Sequence, residues 1–267
     1  MSAPTDTVST DDWNRHWGAY EKSNALNPAQ AYRRMLIFRA LELDRAKNPV
    51  RLLELGSGQG EFSKELKERH PALDLVGVDL SQTGVEMAQA KVPSGAFFQQ
   101  DLTQPMAIPE QYRKWATHAV CSEVLEHIDN PLDALRNVRS CLAPGGRLVI
   151  TVPAGPMSEF DRHIGHRRHF TPQSLTELVH GTGLKLDSLN GAGFPFFNLY
   201  RLTVVARGRK LIQDAEGGDG SLPLAARAAI RLFSWLFRMN AVETQHGWQL
   251  VAVAVEPSDP NLAAQRS

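Results

Sequence analysis

Cysteine is scarce in this chain: its 267 residues include two, Cys121 and Cys141. That is too few for a disulfide framework, so both are expected reduced and packed, as in a cytoplasmic protein. Long apolar runs are missing too. No segment reaches the roughly eighteen apolar residues of a membrane-spanning helix, and the polar, acidic residues 1–12 contain no apolar stretch of a signal peptide. Net charge is absent: 29 basic side chains balance 29 acidic ones. The chain therefore has no long-range field to gather nucleic acid or an anionic membrane. Internal repeats and low-complexity tracts are lacking as well. What is present is apolar material, 42% of residues, enough to bury one full α/β core with additions.

The most informative stretch is RLLELGSGQGEF at 51–62. Residues 51–55 read as a buried strand and those after Gly60 as a helix, with a turn between them too tight for side chains. Gly56, Gly58 and Gly60 allow positive φ and close approach of a ligand to the backbone. A strand that feeds a helix N-terminus through such a turn is a cradle for a nucleotide-like cofactor. The spacing departs from the dinucleotide fingerprint, because the third glycine comes one residue early. An acid, Glu54, stands two residues before the first glycine.

Four further segments follow in order. LVGVDL (75–80) is a second apolar strand ending in Asp79, nineteen residues beyond Gly60, where a carboxylate can accept two ribose hydroxyls. AFFQQDL (96–102) reads as a third strand ending in Asp101. AVCSEVLEHI (119–128) is a fourth strand with an acidic loop, and LAPGGRLVITV (142–152) is a helix stop, a turn and a fifth strand. With 51–62, these segments resemble the motifs of class I S-adenosylmethionine (SAM) methyltransferases over roughly residues 50–155.

The resemblance implies an α/β fold: a Rossmann-like, seven-stranded, mostly parallel sheet with an antiparallel last strand. The chain itself adds N-terminal helices and, where that fold usually has a short connection, a helical insertion between strands six and seven. The resemblance also implies SAM as cofactor and S-adenosylhomocysteine as product. The implied cofactor residues are Glu54, Gly56, Ser57, Gly58, Gly60, Asp79, Leu80, Asp101, Leu102 and Glu123. Glu54 would anchor the cationic amino group and Asp101 the adenine amino group, while Leu102 packs on the ring.

Helices are expected at 61–69, 81–91 and 131–141, with Ser81 as an N-cap, and at 171–183, opened by a capping Thr171 and Pro172. Strands six and seven fall at 185–190 and 247–255. The organisation reads as a disordered tail and lid helices (1–45), a SAM-binding core (46–192), a helical cap insertion (193–246) and a last core strand with a tail (247–267). Trp13, Trp17 and Tyr20 share one helical face, which either packs on the core or closes over the cofactor. The insertion holds an Arg-rich helix near 200–212 and a second helix at 224–239, with arginines interleaved among apolar residues. Three readings of the second helix are open: a core-packed cap, a substrate channel or homodimer face, and a peripheral membrane contact.

Methyl transfer to a hydroxyl needs the proton removed. The candidate catalytic residues are Glu123, His127 and His166. The first two lie in the loop after strand four, and His166 lies in DRHIGHRRHF (161–170) after strand five. His169 is assigned a structural role. Glu126 and His127 either take part in chemistry or cap the following helix. Glu123, Glu126, His127 and His166 together also suit a divalent metal, an oxygen and nitrogen donor set. The same grouping resembles the metal-binding set of small-RNA terminal 2′-O-methyltransferases and, in part, of ubiquinone-pathway enzymes. The resulting expectation is O-methylation of a hydroxylated small-molecule or lipid-linked acceptor, with no nucleic-acid partner. The alternatives are a small-molecule N-methyltransferase and a non-catalytic SAM-binding partner protein.

Overall fold

The computed structural model describes residue 13 and residues 27–46, 49–217 and 224–258. Apart from Trp13, the expected tail and first N-terminal helix lie outside the described residues, as do most of the Gly-rich residues 217–220. The seven strands are β1 (Arg51–Leu55), β2 (Asp74–Asp79), β3 (Ala96–Gln99), β4 (Ala116–Ser122), β5 (Leu142–Pro153), β6 (Lys185–Ala192) and β7 (Gln249–Val255). They form one sheet in the order β3-β2-β1-β4-β5-β7-β6. Every pairing is parallel except those that β7 makes with β5 and β6. The order reverses between β1 and β4, so a crevice opens at the carboxyl ends of those strands.

The helices are α1 (Pro28–Leu41), α2 (Glu61–Arg69), α3 (Gln82–Lys91), α4 (Pro131–Arg139), α5 (Glu159–His163), α6 (Pro172–Gly181), α7 (Phe196–Gly217) and α8 (Leu224–Leu236). Local chemistry sets their starts. Ser81 accepts from the Gly84 amide ahead of α3, Asn130 from Asp133 ahead of α4, and Thr171 from Ser174 ahead of α6. Asn130, not Glu126 or His127, therefore caps the helix after β4, and Leu125–His127 is a separate 3-10 turn. β3 is also shorter than its apolar run suggests. It ends at Gln99, which leaves Asp101 in the turn beyond the strand.

Alternate residues of the strands feed two cores, as a sheet covered on both faces requires. Leu53, Leu55, Val78, Ala119, Ile150 and Ala252 face one side with Leu135, Val138 and Leu175 of α4 and α6. Leu52, Leu75, Val120, Val149 and Val253 face the other with Ile37, Leu41, Phe62, Leu66 and Ala88 of α1, α2 and α3. A third, smaller cluster joins Tyr32 and Leu36 of α1 to Ala192, Phe197 and Phe237. That cluster fastens the 193–246 insertion to α1. Asn240 Oδ1 accepts from the Phe196 amide at 2.9 Å, and Asn198 Oδ1 accepts from the Trp248 amide at 3.0 Å.

Candidate active site

The glycine turn closes on its neighbours as much as on any ligand. Gly56, Gly58 and Gly60 take φ of 70°, 50° and 78°. A Cβ on Gly56 would stand 2.3 Å from Val124 Cγ2, and one on Gly60 would stand 2.9 Å from Ala88 Cα. Those two glycines therefore bring the β4 loop and α3 against the turn. Gly56 and Ser57 both donate to the Val78 carbonyl, at 2.8 and 2.9 Å. Among the described residues, the buried Ser57 Oγ and Gln59 Oε1 have no hydrogen-bond partner, a cost that a ligand in the cradle would remove.

Three acids line the carboxyl edge beside this turn. Glu54 is buried and accepts a short hydrogen bond from Ser63 Oγ. Burial lifts its pKa to about 8; the Ser63 bond opposes the shift, and the charge of Asp79 adds to it. Asp79 accepts from the Gly58 amide through Oδ2 and from the Ser81 amide through Oδ1, both at 2.8 Å. Each carboxylate oxygen can take more than one donor, so these bonds orient the group without exhausting it. Asp101 closes a turn, with Oδ1 accepting from the Thr103 amide and hydroxyl at 2.8 and 2.7 Å. Of the two apolar candidates, Leu102 belongs to the core, whereas Leu80 is 45% exposed beside Asp79.

Beyond β4 the structure separates residues that the sequence groups together. Glu123, at a strained φ of 56°, is engaged elsewhere. Arg33 Nε of α1 lies 3.0 Å from its Oε2, and Gln249 Nε2 donates to its Oε1 at 2.8 Å. Arg33 Nε also donates to Gln249 Oε1 at 2.9 Å. Nothing in the sequence motifs pointed to Arg33. Gln249 carries a fainter signal, as a polar residue opening an otherwise apolar strand.

Glu126, His127 and His166 do come together, with one ligand atom from each lying within 4.8 Å of the others. Glu126 is fully buried, and among the described residues neither of its carboxylate oxygens has a hydrogen-bond partner. Burial raises its pKa well above the carboxylate range, and the charge of Glu123 adds to the rise. His166 Nε2 is 4.0 Å from Glu126 Oε1, too far for a hydrogen bond. Trp13 meets the His127 ring edge to face, with centroids 4.8 Å apart.

The lone pair on His166 is oriented from behind. The Gly155 carbonyl can only accept, so His169 Nδ1 donates to it at 3.0 Å. His169 Nε2 then accepts from His166 Nδ1 at 3.3 Å, which leaves His166 Nε2 as an acceptor towards Glu126. Burial pushes the His166 pKa down to about 2, and the neighbouring His127 contributes. His166 is therefore neutral, with its Nε2 lone pair turned towards Glu126, and is poorly suited to act as a general base.

His169 Nε2 also lies 3.8 Å from Asp161 Oδ2. Asp161 is buried and bound by Arg201 of α7 through two hydrogen bonds, at 3.0 and 2.8 Å. Burial alone would raise this carboxyl, but the bonds and charge of Arg201 outweigh it and hold the pKa at about 2. The only sequence hint of this pair is a basic residue on the inward line of the helix, between Phe197 and Val204.

A family model described as a methyltransferase domain matches residues 29–189. The chain belongs to that family. It is a class I SAM-dependent methyltransferase, as its motifs implied. The ubiquinone biosynthesis O-methyltransferase of Aeromonas salmonicida is 25% identical over 173 residues, covering 57% of this chain and 70% of that one. Two solved structures share the fold. One is phosphoethanolamine N-methyltransferase 2 of Haemonchus contortus in complex with S-adenosyl-L-methionine, with a TM-score of 0.61 and 16% identity over 96% of this chain and 62% of that one. The other comes from a complex of a methyltransferase with the Haloferax volcanii Trm112 activator, with a TM-score of 0.60 and 17% identity over 94% of this chain and 99% of that one. The seven-stranded sheet with its antiparallel last strand is the expected fold.

For this methyltransferase, Glu54 gives a pH-dependent expectation. A carboxyl whose folded pKa is raised to about 8 weakens the unliganded fold as pH rises from the ordinary carboxylate range through that value. A cationic amino group docked beside it would favour the ionised form. SAM binding near neutral pH is therefore expected to release about one proton. Calorimetry in buffers of different ionisation enthalpy would measure that release, which Glu54→Gln should abolish.

Proposed function

We propose that this methyltransferase carries the methyl group of SAM to a hydroxyl oxygen of a small-molecule or lipid-linked metabolite, with a divalent cation held by Glu126, His127 and His166. The observation that carries this reading is Glu126: a fully buried carboxyl whose two oxygens have no hydrogen-bond partner among the described residues, beside one imidazole whose lone pair is aimed at it. A buried carboxylate without donors is costly, and a cation would remove the cost. One oxygen donor and two nitrogen donors fit manganese, zinc or a similar ion. A divalent ion at this place supplies Lewis acidity that lowers the pKa of an acceptor hydroxyl.

The chain's own groups do the rest. Glu54 would pair with the amino group of the cofactor, Asp79 with its ribose hydroxyls and Asp101 with its adenine amino group, with Leu80 and the edge of Leu102 against the ring. Ser57 and Gln59 offer polar atoms to the same ligand. Glu123, locked between Arg33 and Gln249, keeps the β4 loop in shape beside the cofactor and does not serve as a base. Trp13 would shield the His127 ring from water, and the 193–246 insertion would cap the acceptor side. The cytoplasm is the compartment we assign, because both cysteines are free and buried.

Two measurements test this. Manganese titrated into metal-free protein and followed by electron paramagnetic resonance should show one bound ion, lost in Glu126→Gln and His166→Ala. Methyl-labelled SAM offered with a panel of phenols, isoprenoid-linked phenols and amines should place label in ethers. Label on nitrogen, or full transfer with no bound metal, would overturn the respective part.

A further inference from the structure

The outward line of α8 is apolar. A 3-10 turn, Phe237–Met239, continues the helix. On the inward side Phe233 and Phe237 pack against Tyr200, and Phe237 also meets Tyr32 and Phe197. On the opposite side Leu232, Trp235 and Met239, spaced by three and four residues as one helical stripe, are 54%, 57% and 49% exposed. Beside that stripe runs a second one, of exposed Arg227, Arg231 and Arg238. Residues 224–239 contain no acid. On neighbouring α7, Leu199 and Leu202 are exposed as well. A helix with one buried face ordinarily turns polar residues to water; this one turns out a tryptophan between two large aliphatic side chains.

We propose that this face of α8 docks on an anionic lipid surface, with Leu232, Trp235 and Met239 entering the headgroup boundary and the three arginines meeting lipid phosphates. The charge pattern decides the occupant. A second copy related by a two-fold axis would bring arginine stripes together with no acid on the helix to pair with them. Among the described residues no helix is long and apolar enough to cross a membrane, so the contact lies in the plane of the surface. Tryptophan favours that boundary, and arginine stems lie along apolar surface while their heads reach phosphate. With formal net charge zero, the chain relies on this local cluster for attraction. Docking stands independently of the acceptor proposed above, because it is read without catalysis.

The test uses the full chain with vesicles of phosphatidylcholine, alone or mixed with phosphatidylglycerol. Co-sedimentation is expected with the mixed vesicles at low salt and is expected to fall as salt rises. The emission of Trp235 should shift to the blue, a change missing in Trp235→Phe. The triple change Arg227→Gln, Arg231→Gln, Arg238→Gln should weaken binding about a hundredfold, roughly fivefold for each arginine. The double change Leu232→Ser, Trp235→Ser should abolish the contact while SAM binding and thermal midpoint hold. Equal binding by these variants, or no binding of the unmodified chain to mixed vesicles, overturns the proposal. A dimer dissociated by Leu232→Ser would assign the face to a second copy instead, and an acidic protein that binds only with the arginines intact, without vesicle binding, would assign it to that partner.

Discussion

Arg201→Met is expected to destabilise the fold by about 3–5 kcal/mol, the usual consequence of leaving a buried charge without its partner. Methionine keeps the apolar stem, so the loss reports the uncompensated Asp161 carboxylate and not missing packing. Chemical denaturation would measure it. The double variant Asp161→Asn, Arg201→Met should recover most of the loss, because replacing both members of a buried pair is far less costly than removing one. The sign with pH follows from Asp161, whose folded pKa of about 2 lies below the usual aspartate value of 3.8. Its contribution is present in full above the unfolded value and fades as pH falls through the folded one. The gap between wild type and Arg201→Met should therefore begin to narrow above the ordinary aspartate value, because burial without Arg201 raises the carboxyl of the variant, and should close as pH falls through about 2. A gap that persists at the lowest pH would assign the effect to packing. Because Asp161 also faces His169, which orients His166, loosening this pair should weaken manganese binding as well as stability.

Asp79→Ala should lower the affinity for S-adenosylhomocysteine by about 1–3 kcal/mol, roughly 5–150-fold. The substitution removes the acceptor proposed for the ribose hydroxyls. It also strips the Gly58 and Ser81 amides of their partner, so the cradle itself should loosen and the unliganded protein lose stability on the same scale. Calorimetry and denaturation read the two effects separately. Asp79→Asn keeps one acceptor oxygen but turns a donor towards groups that donate, so an intermediate loss is expected. Unchanged affinity in Asp79→Ala, with the fold intact, would remove the carboxylate from the cofactor site.

Much of this protein was legible before its structure. Strands buried on both faces read as continuous apolar runs, so β1, β2, β4, β5 and β7 could be placed. Glycines forced to positive φ mark the turn after β1. The acids at strand ends mark the ligand edge, because local chain order sets which end of a parallel strand meets the crevice. Those are short-range facts, and sequence holds them directly. The pairing of Glu123 with Arg33 and Gln249 joins α1, β4 and β7, and that of Asp161 with Arg201 joins the loop after β5 to the insertion. Neither has a fixed spacing along the chain, so no motif could show it. The candidate cation cluster lies between the two cases. Its four residues could be named as a set, but only packing separated Glu123 from the other three, because the half-buried Arg33 claims that carboxylate and leaves Glu126 with no hydrogen-bond donor among the described residues.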